Sequence, residues 1–332
     1  MMGQFMAAEM AEQPAVLGRL LLRAPQDMEA VSKLVPRPLL GVFFLGRGSS
    51  DNAAVLGRYL SELGGGRPAG LAAPSLYTRY RAVVDWHGFL VVALSQSGAT
   101  PEIVTTCRVV RDSGAVVVAI TNDPDSELVT AADLVLSTDA GPEQALPATK
   151  TVTAEMFLTL TVARALGPVG VTSTQLTEVP GAIQDVLNDA APMEALARRW
   201  VHVDRLMVAA RGLGYAAALE CALKIKETTG VLAEGISTAD LLHGPVAAVN
   251  AGAPALLINA GGPVSEDVNE LRKVLAGRSA DVVELPRDDG MPESLRVITA
   301  VVRGQQLARA WALERGLDPD APVTLTKVTR TE

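Results

Sequence analysis

The run Leu90-Val91-Val92-Ala93-Leu94-Ser95-Gln96-Ser97-Gly98-Ala99-Thr100-Pro101-Glu102 constrains the fold more than any other part of the chain. Five apolar residues without a polar break suit a strand covered on both faces. The strand empties into hydroxyls and a glycine, and a helix follows, with Thr100 at the N-cap, Pro101 at the first helical position and Glu102 in the first turn. The first backbone N–H groups of a helix have no partner within it and carry the positive end of its dipole. With Ser95, Ser97 and Thr100 adding hydroxyl donors, this loop is suited to hold a phosphate. An ordinary strand-to-helix turn could carry the same residues, so the rest of the chain has to decide.

The same alternation recurs along the sequence. A helical lead-in runs from Met1 to about Val35 and stops at Pro36 and Pro38. Strands are expected at Leu39–Leu45, Phe89–Leu94, Ala115–Ile120 and Asp133–Ser137, with helices at Asp51–Leu63 and Pro101–Ser113 and a long one from about Ala148 to Leu166. Strands alternating with helices imply a parallel sheet with helices on both faces. Gly167 to Pro192 reads as a connection with one further helix. The pattern then restarts with a strand at Arg205–Ala210, a helix at Tyr215–Thr229 and strands at Pro254–Asn259 and Asp281–Leu285. Leu45-Gly46-Arg47-Gly48-Ser49-Ser50 is similar to Ala209-Ala210-Arg211-Gly212-Leu213-Gly214, and Leu90–Gly98 is similar to Pro254–Gly262. The half-chains are therefore an internal duplication. The second copy has lost the hydroxyls of the loop, which here reads Asn259-Ala260-Gly261-Gly262, so one phosphate site per chain is the economical inference.

Composition narrows the class. A chain of 332 residues exceeds one ordinary core, so two domains are expected. Hydrophobic residues make up 48% of it, yet no apolar run reaches the roughly 18–20 residues that span a bilayer. No signal-peptide pattern precedes Glu9 and Glu12, and Cys107 and Cys221, both in helical patterns, make no disulfide framework. A cytoplasmic protein with no membrane partner is the expectation. A net charge of −8 argues against nucleic acid as a partner, and His87, His202 and His243 lack ligand spacing, so no metal site is expected.

Some residues carry chemistry. Gly46-Arg47-Gly48-Ser49-Ser50 sits where the first strand meets its helix, its glycines allowing close backbone approach and its serines offering donors; a tight structural turn would look the same. Asp51 stands where a dinucleotide fold needs its third glycine, so a nicotinamide cofactor is disfavoured and no cofactor is expected. Glu220, Lys224 and Glu227 recur at i, i+4 and i+7 and share one helix face. A solvated ion-pair stripe has that spacing too, but the neighbours Ala217, Ala218, Cys221, Ala222, Leu223 and Ile225 point to partial burial. His243, in His243-Gly244-Pro245, is either a packed or capping residue or a proton carrier near neutral pH.

These residues resemble the SIS (sugar isomerase) double-domain family, and more closely the isomerase half of glucosamine-6-phosphate synthase. The resemblance spans roughly residues 33 to 332 and lies in six ordered motifs: Gly46–Ser50, Ser95–Thr100, Gly141–Lys150, Leu219–Glu227, His243–Pro245 and the tail at Lys327. It implies an α/β fold of two tandem SIS domains, each a parallel sheet flanked by helices in a flavodoxin-like three-layer sandwich. The lead-in would be 1–32, the domains 33–170 and 196–322, and an active-site tail 323–332. By the same resemblance Gly48, Ser49, Ser50, Ser95, Gln96, Ser97, Thr100, Glu143 and Ala148 belong to the substrate-binding set. Glu227 matches the base that moves a proton between C1 and C2. His243 matches the residue that opens the sugar ring, donated by the neighbouring subunit of a homodimer. Lys224 matches a lysine near the reacting carbons, and Lys327 the tail lysine at the substrate carbonyl.

The chain also departs from that pattern. The synthase carries a glutaminase domain with an N-terminal cysteine ahead of this region, whereas here Met1-Met2-Gly3 opens a short helical lead-in, so glutamine hydrolysis is not expected of this polypeptide. Ala148 replaces a serine near the phosphate and Leu242 a lysine before the histidine. The pattern without a glutaminase most resembles the type-II glucosamine-6-phosphate deaminases. A fructosamine-type deglycase, a ketose–aldose isomerase and a non-catalytic sugar-phosphate sensor are the alternatives; the retention of Glu227, His243 and Lys327 argues against the last.

Overall fold

The computed structural model describes residues 2–285, 290–322 and 326–327. Helix α1 (Gln4–Leu34) is followed by β1 (Gly41–Leu45), α2 (Ser49–Gly65), β2 (Ala69–Leu71), α3 (Ser75–Thr78), β3 (Phe89–Leu94) and α4 (Pro101–Asp112). Next come β4 (Val116–Thr121), α5 (Glu127–Thr130), β5 (Leu134–Ser137) and α6 (Lys150–Leu166). The later half holds α7 (Ser173–Thr177), α8 (Val179–Asn188), α9 (Ala191–Arg199), β6 (Arg205–Ala210), α10 (Gly214–Thr229), β7 (Leu232–Ser237) and α11 (Thr238–Leu242). It ends with β8 (Pro254–Ile258), α12 (Ser265–Gly277), β9 (Asp281–Glu284) and α13 (Glu293–Glu314). None of the described helices is long and apolar enough to cross a membrane.

Two compact units form. One comprises Ala15–Pro142, Lys150–Gly170 and Thr326–Glu332, the other Met1–Pro14, Glu143–Thr149 and Val171–Leu325. The first holds a five-stranded parallel sheet in the order β2-β1-β3-β4-β5. Leu90 to Leu94 are each fully buried, as the unbroken apolar run requires of a central strand. The second unit repeats the plan with β7-β6-β8-β9, also parallel. In both sheets the chain leaves the first strand to one side and returns on the other. This puts a topological switch point at the carboxyl ends of β1 and β3, and of β6 and β8, where open α/β sheets bind ligands. The expected α/β fold with two parallel sheets is present, and the strands at β3 and β6 have the bounds read from sequence.

The segment Gly167 to Pro192 differs from expectation. It holds two helices, α7 and α8, and the start of α9 instead of one helix. A capping box starts α7: Thr172 Oγ1 accepts from Gln175 N while Gln175 Oε1 accepts from Thr172 N. The edge strands β2 and β7 and the helices α12 and α13 were not read from the sequence.

Candidate active site

In the first unit the loops after β1 and β3 lie side by side, because Leu45 and Ala93 are register partners. A Cβ on Gly46 would lie 2.7 Å from the Ser50 backbone, so the first loop closes only with glycine there. Gly48 O accepts from Asp51 N (3.0 Å) and Asn52 N (3.2 Å) as α2 begins. Arg47 joins the loops through its guanidinium, 2.9 Å from Glu102 Oε2 in the first turn of α4.

The second loop is anchored by its backbone. Ser95 N donates to Ile120 O (3.0 Å), Asn122 N to Gln96 O (3.1 Å), Gly98 N to Ser95 O (3.1 Å) and Leu128 N to Gly98 O (3.0 Å). Gly98 has a φ of +57°, and a Cβ there would overlap Ser126 Oγ, so two independent demands fix glycine. Thr100 takes the N-cap place in extended conformation with Pro101 behind it, and its side chain makes no capping bond. Ser97 Oγ accepts from Ala99 N (3.3 Å), and the hydroxyl-bearing loop runs directly into the N-terminus of a twelve-residue helix. Fixed donors at a positive helix end are the chemistry of anion binding.

The second unit carries the titratable groups. Glu220 and Lys224 on α10 are 0% and 1% exposed, while the side chain of Glu227, one turn on, is 21% exposed. Lys224 Nζ lies 3.6 Å from Glu220 Oε1 and donates to Glu227 Oε2 in a short bond. Burial alone lowers the lysine's pKa. The carboxylates of Glu220, Glu227 and Glu143 outweigh it and hold Lys224 above the usual lysine value. Lys224 is therefore an ammonium, which removes it as an amine nucleophile and makes it the group that steers Glu227. Only Glu227 of the three reaches the surface.

Glu143 stands on a segment tied down at both ends. Its Oε1 accepts from Thr149 N (3.0 Å), Glu9 accepts from Gln144 N and Ala145 N, and Asp320 O accepts from Leu146 N (2.9 Å). Ala148, half-buried, closes that segment. His243 caps the end of α11, exposed, with Nδ1 2.7 Å from Ala239 O, which leaves Nε2 outward. Within its own chain His243 has no hydrogen bond to the α10 cluster among the described residues. Lys327 is exposed; the rest of the tail expected at 323–332, apart from Thr326, lies outside the described residues. Sequence reasoning left out Glu155, on α6, whose buried carboxylate accepts from Ser50 Oγ at 2.9 Å. A charge between Ala154 and the apolar run Met156-Phe157-Leu158 was the available signal.

The sequence pattern of the SIS domain matches residues 41–165 and 201–285, once over each sheet. Glutamine–fructose-6-phosphate aminotransferases (isomerizing) from Pyrococcus horikoshii and Methanosarcina mazei are 30% and 32% identical to the chain over 99% of its length. The chain spans 58% of the length of these relatives. A crystal structure described as a putative phosphosugar isomerase from Silicibacter pomeroyi superposes with a TM-score of 0.85 at 30% identity, over 95% of this chain and 99% of the other. Glucosamine-6-phosphate deaminase from Thermotoga maritima shares the fold, with a TM-score of 0.79 at 21% identity over 99% of each chain. With the family pattern present twice, over more than half of the chain, this protein belongs to the SIS domain family.

Proposed function

We propose that the chain is a phosphosugar isomerase acting on an aminosugar phosphate, with glucosamine 6-phosphate as substrate and fructose 6-phosphate and ammonia as products. The observation that carries this reading is the α10 cluster: a buried ammonium fixed by two buried carboxylates and bonded to a third carboxylate at the surface. Such a carboxylate has the position a proton shuttle needs. The names of the relatives, which handle fructose 6-phosphate and glucosamine 6-phosphate, support the substrate class.

In this reading the sugar's phosphate docks at the loops Gly48–Ser50 and Ser95–Thr100. His243, supplied by the second subunit of a homodimer, protonates the ring oxygen and opens the ring. Glu227 takes the proton from C2 of the open aldose and returns it to C1 while an amine proton passes to O1, so the C1 aldehyde becomes an alcohol and the C2 amine an imine. Water then adds to the imine carbon, and ammonia leaves as the C2 carbonyl forms, so one water is consumed for each ammonia released. Lys224 aims Glu227 through its hydrogen bond. Lys327 assists at the carbonyl. A base step of this kind is worth about 10²–10⁴-fold in rate.

The test is ammonia release from glucosamine 6-phosphate coupled to detection of fructose 6-phosphate, with Glu227→Gln as control. Release by the wild type, lost in the variant without loss of sugar-phosphate affinity, is expected. Interconversion of ketose and aldose phosphates without ammonia would make the chain a plain isomerase. Binding without any turnover would make it a sensor.

A further inference from the structure

The structure divides the side chains expected at the phosphate. Ser95 Oγ, the Gln96 amide and Thr100 Oγ1 have no hydrogen bond among the described residues, and Ser97 Oγ accepts a bond while keeping its own proton. Ser50 is different. Its Oγ donates to Glu155 Oε1 at 2.9 Å, with Ser50 7% and Glu155 1% exposed. A hydroxyl has a single proton. Spent on Glu155, it leaves Ser50 only lone pairs to present to an anion, and a phosphate contacting that oxygen would face a buried carboxylate across it.

We propose that Glu155 is a specificity-determining residue of the phosphate loops, which takes Ser50 out of the donor set and couples binding of a doubly ionised phosphate to proton uptake at the Ser50–Glu155 pair. The proposal rests on the phosphosugar reading above. A like charge disfavours the ionised carboxylate, so binding the dianion draws a proton onto the pair, while the Ser50 oxygen stays bonded to Glu155. α6 packs on α2 and β4. Among the described residues of these elements the charged groups are Asp51, Arg58 and Glu62 on α2, none on β4, and Lys150 and Arg164 on α6 itself. Arg47, ahead of α2, is engaged by Glu102. Asp51, raised by burial against the pull of Arg47, is the competing titrating group.

The experiment is calorimetric titration of the full chain with glucosamine 6-phosphate and with inorganic phosphate between pH 6 and 9, in buffers of different ionisation heat. The proteins are wild type, Glu155→Gln, Ser50→Ala, Ser95→Ala and Asp51→Asn. The expected result is proton uptake on binding by wild type and by Asp51→Asn, and little by Glu155→Gln. Glu155→Gln should bind about tenfold tighter than wild type at pH 8, with a flatter pH profile, as follows from removing a charged partner. Ser50→Ala should stay within about threefold of wild type while Ser95→Ala loses about tenfold or more. The phosphate's own second ionisation, near pH 6, is common to all five proteins and drops out of the comparison. Equal losses in Ser50→Ala and Ser95→Ala, or proton uptake unchanged in Glu155→Gln, would overturn the proposal. If Glu155→Gln does not fold, the wild-type proton count and the two serine variants still decide. Absence of any sugar-phosphate binding by wild type overturns both readings, whereas binding with the expected proton count but no ammonia release overturns only the reaction.

Discussion

The two copies of the β-α-β plan share a frame and have opposite chemistry in it. Gly48 and Gly212 occupy the same place in the first loop of each copy with the same φ of +58°. Arg47 and Arg211, one residue earlier, each pair with an acid of the neighbouring helix, Glu102 at 2.9 Å and Asp267 at 3.3 Å. The displacement that carries Gly46 to Ala210 also carries Leu56, Leu60 and Leu63 of α2 to Glu220, Lys224 and Glu227 of α10. The three positions that are leucine on α2 are charged on α10. The loops reverse the assignment. Ser95-Gln96-Ser97 keeps free donors, whereas at Asn259-Ala260-Gly261 the protein satisfies itself: Asn259 Oδ1 accepts from Gly261 N (3.1 Å) and Ser265 Oγ (3.0 Å), and Arg296 donates to Ala260 O (3.2 Å). In the function proposed above, one copy holds the anion and the other does the acid–base work, which a duplicated sheet permits because its core does not depend on either.

The sharpest way to break this comparison is to put the first copy's residue into the second copy's helix. Lys224→Leu leaves Glu220 buried without its cation and should cost about 3–5 kcal/mol, read as a fall in the denaturant midpoint at constant slope. The double change Glu220→Leu/Lys224→Leu makes α10 like α2 there and should recover most of that loss, since an apolar pair of similar volume replaces a buried ion pair at little cost. Activity should be absent in both. A double variant as unstable as the single one would mean that the ion pair holds the helix itself.

Next in size are two helix contacts, one in each copy. A Cβ at Gly304 on α13 would overlap Cys221 Sγ on α10, and one at Gly57 on α2 would overlap the ring of Phe44 on β1. Gly304→Ala and Gly57→Ala should each cost about 1–3 kcal/mol by overpacking. If the copies differ in function only, the two losses agree. Only Gly304→Ala, which moves the helix bearing Glu227, should also lower turnover.

The sequence made the paired architecture legible because the central strands are buried on both faces and stay apolar throughout. It failed where burial is polar. α13 hides its inward face behind Arg303, Gln305 and Gln306, which look like surface residues. They are buried because Arg303 bonds Asp189, Gln305 bonds Thr149 O and Gln306 bonds Val186 O, finishing the ends of other segments. β2 is three half-buried residues, Ala-Gly-Leu, too short for a periodic signal, and β7 breaks its pattern with Glu234 and Gly235. Of the candidate site, the loops and the spacing on α10 could be read directly because they lie within one segment each. Contacts between distant segments could not: Ser50 with Glu155, and Glu9 with the backbone of 144–145, carry no local pattern.

A smaller effect separates the loops. Ser95→Ala should weaken sugar-phosphate binding about tenfold with little change in stability, since it removes a donor from an anion and nothing from the core. Asn259→Ala should do the reverse, leaving affinity unchanged and costing about 1–2 kcal/mol, because Gly261 N and Ser265 Oγ lose their acceptor. Equal effects on affinity would mean that the second loop also holds an anion.

The smallest effect expected at neutral pH is at the thiols, of which each copy buries one. Burial pushes Cys107 on α4 up to about 12 and raises Cys221 on α10, where Glu220 adds to the shift. A thiol whose pKa is raised on folding stays protonated in the native state while the unfolded chain ionises from about 9. Its contribution to stability is full below that value and is lost as pH rises towards 12 for Cys107. At pH 10 each thiol should withdraw about 1.4 kcal/mol, and at pH 7 nothing measurable. Neither should react with a thiol reagent at pH 8 until the chain unfolds, and both should then react at the rate of global unfolding. Faster labelling of Cys107 alone, followed by mass spectrometry of the two peptides, would show that the first copy opens by itself. Labelling of Cys221 first would locate the weaker packing at the α10–α13 contact, and with it the freedom of Glu227 to move.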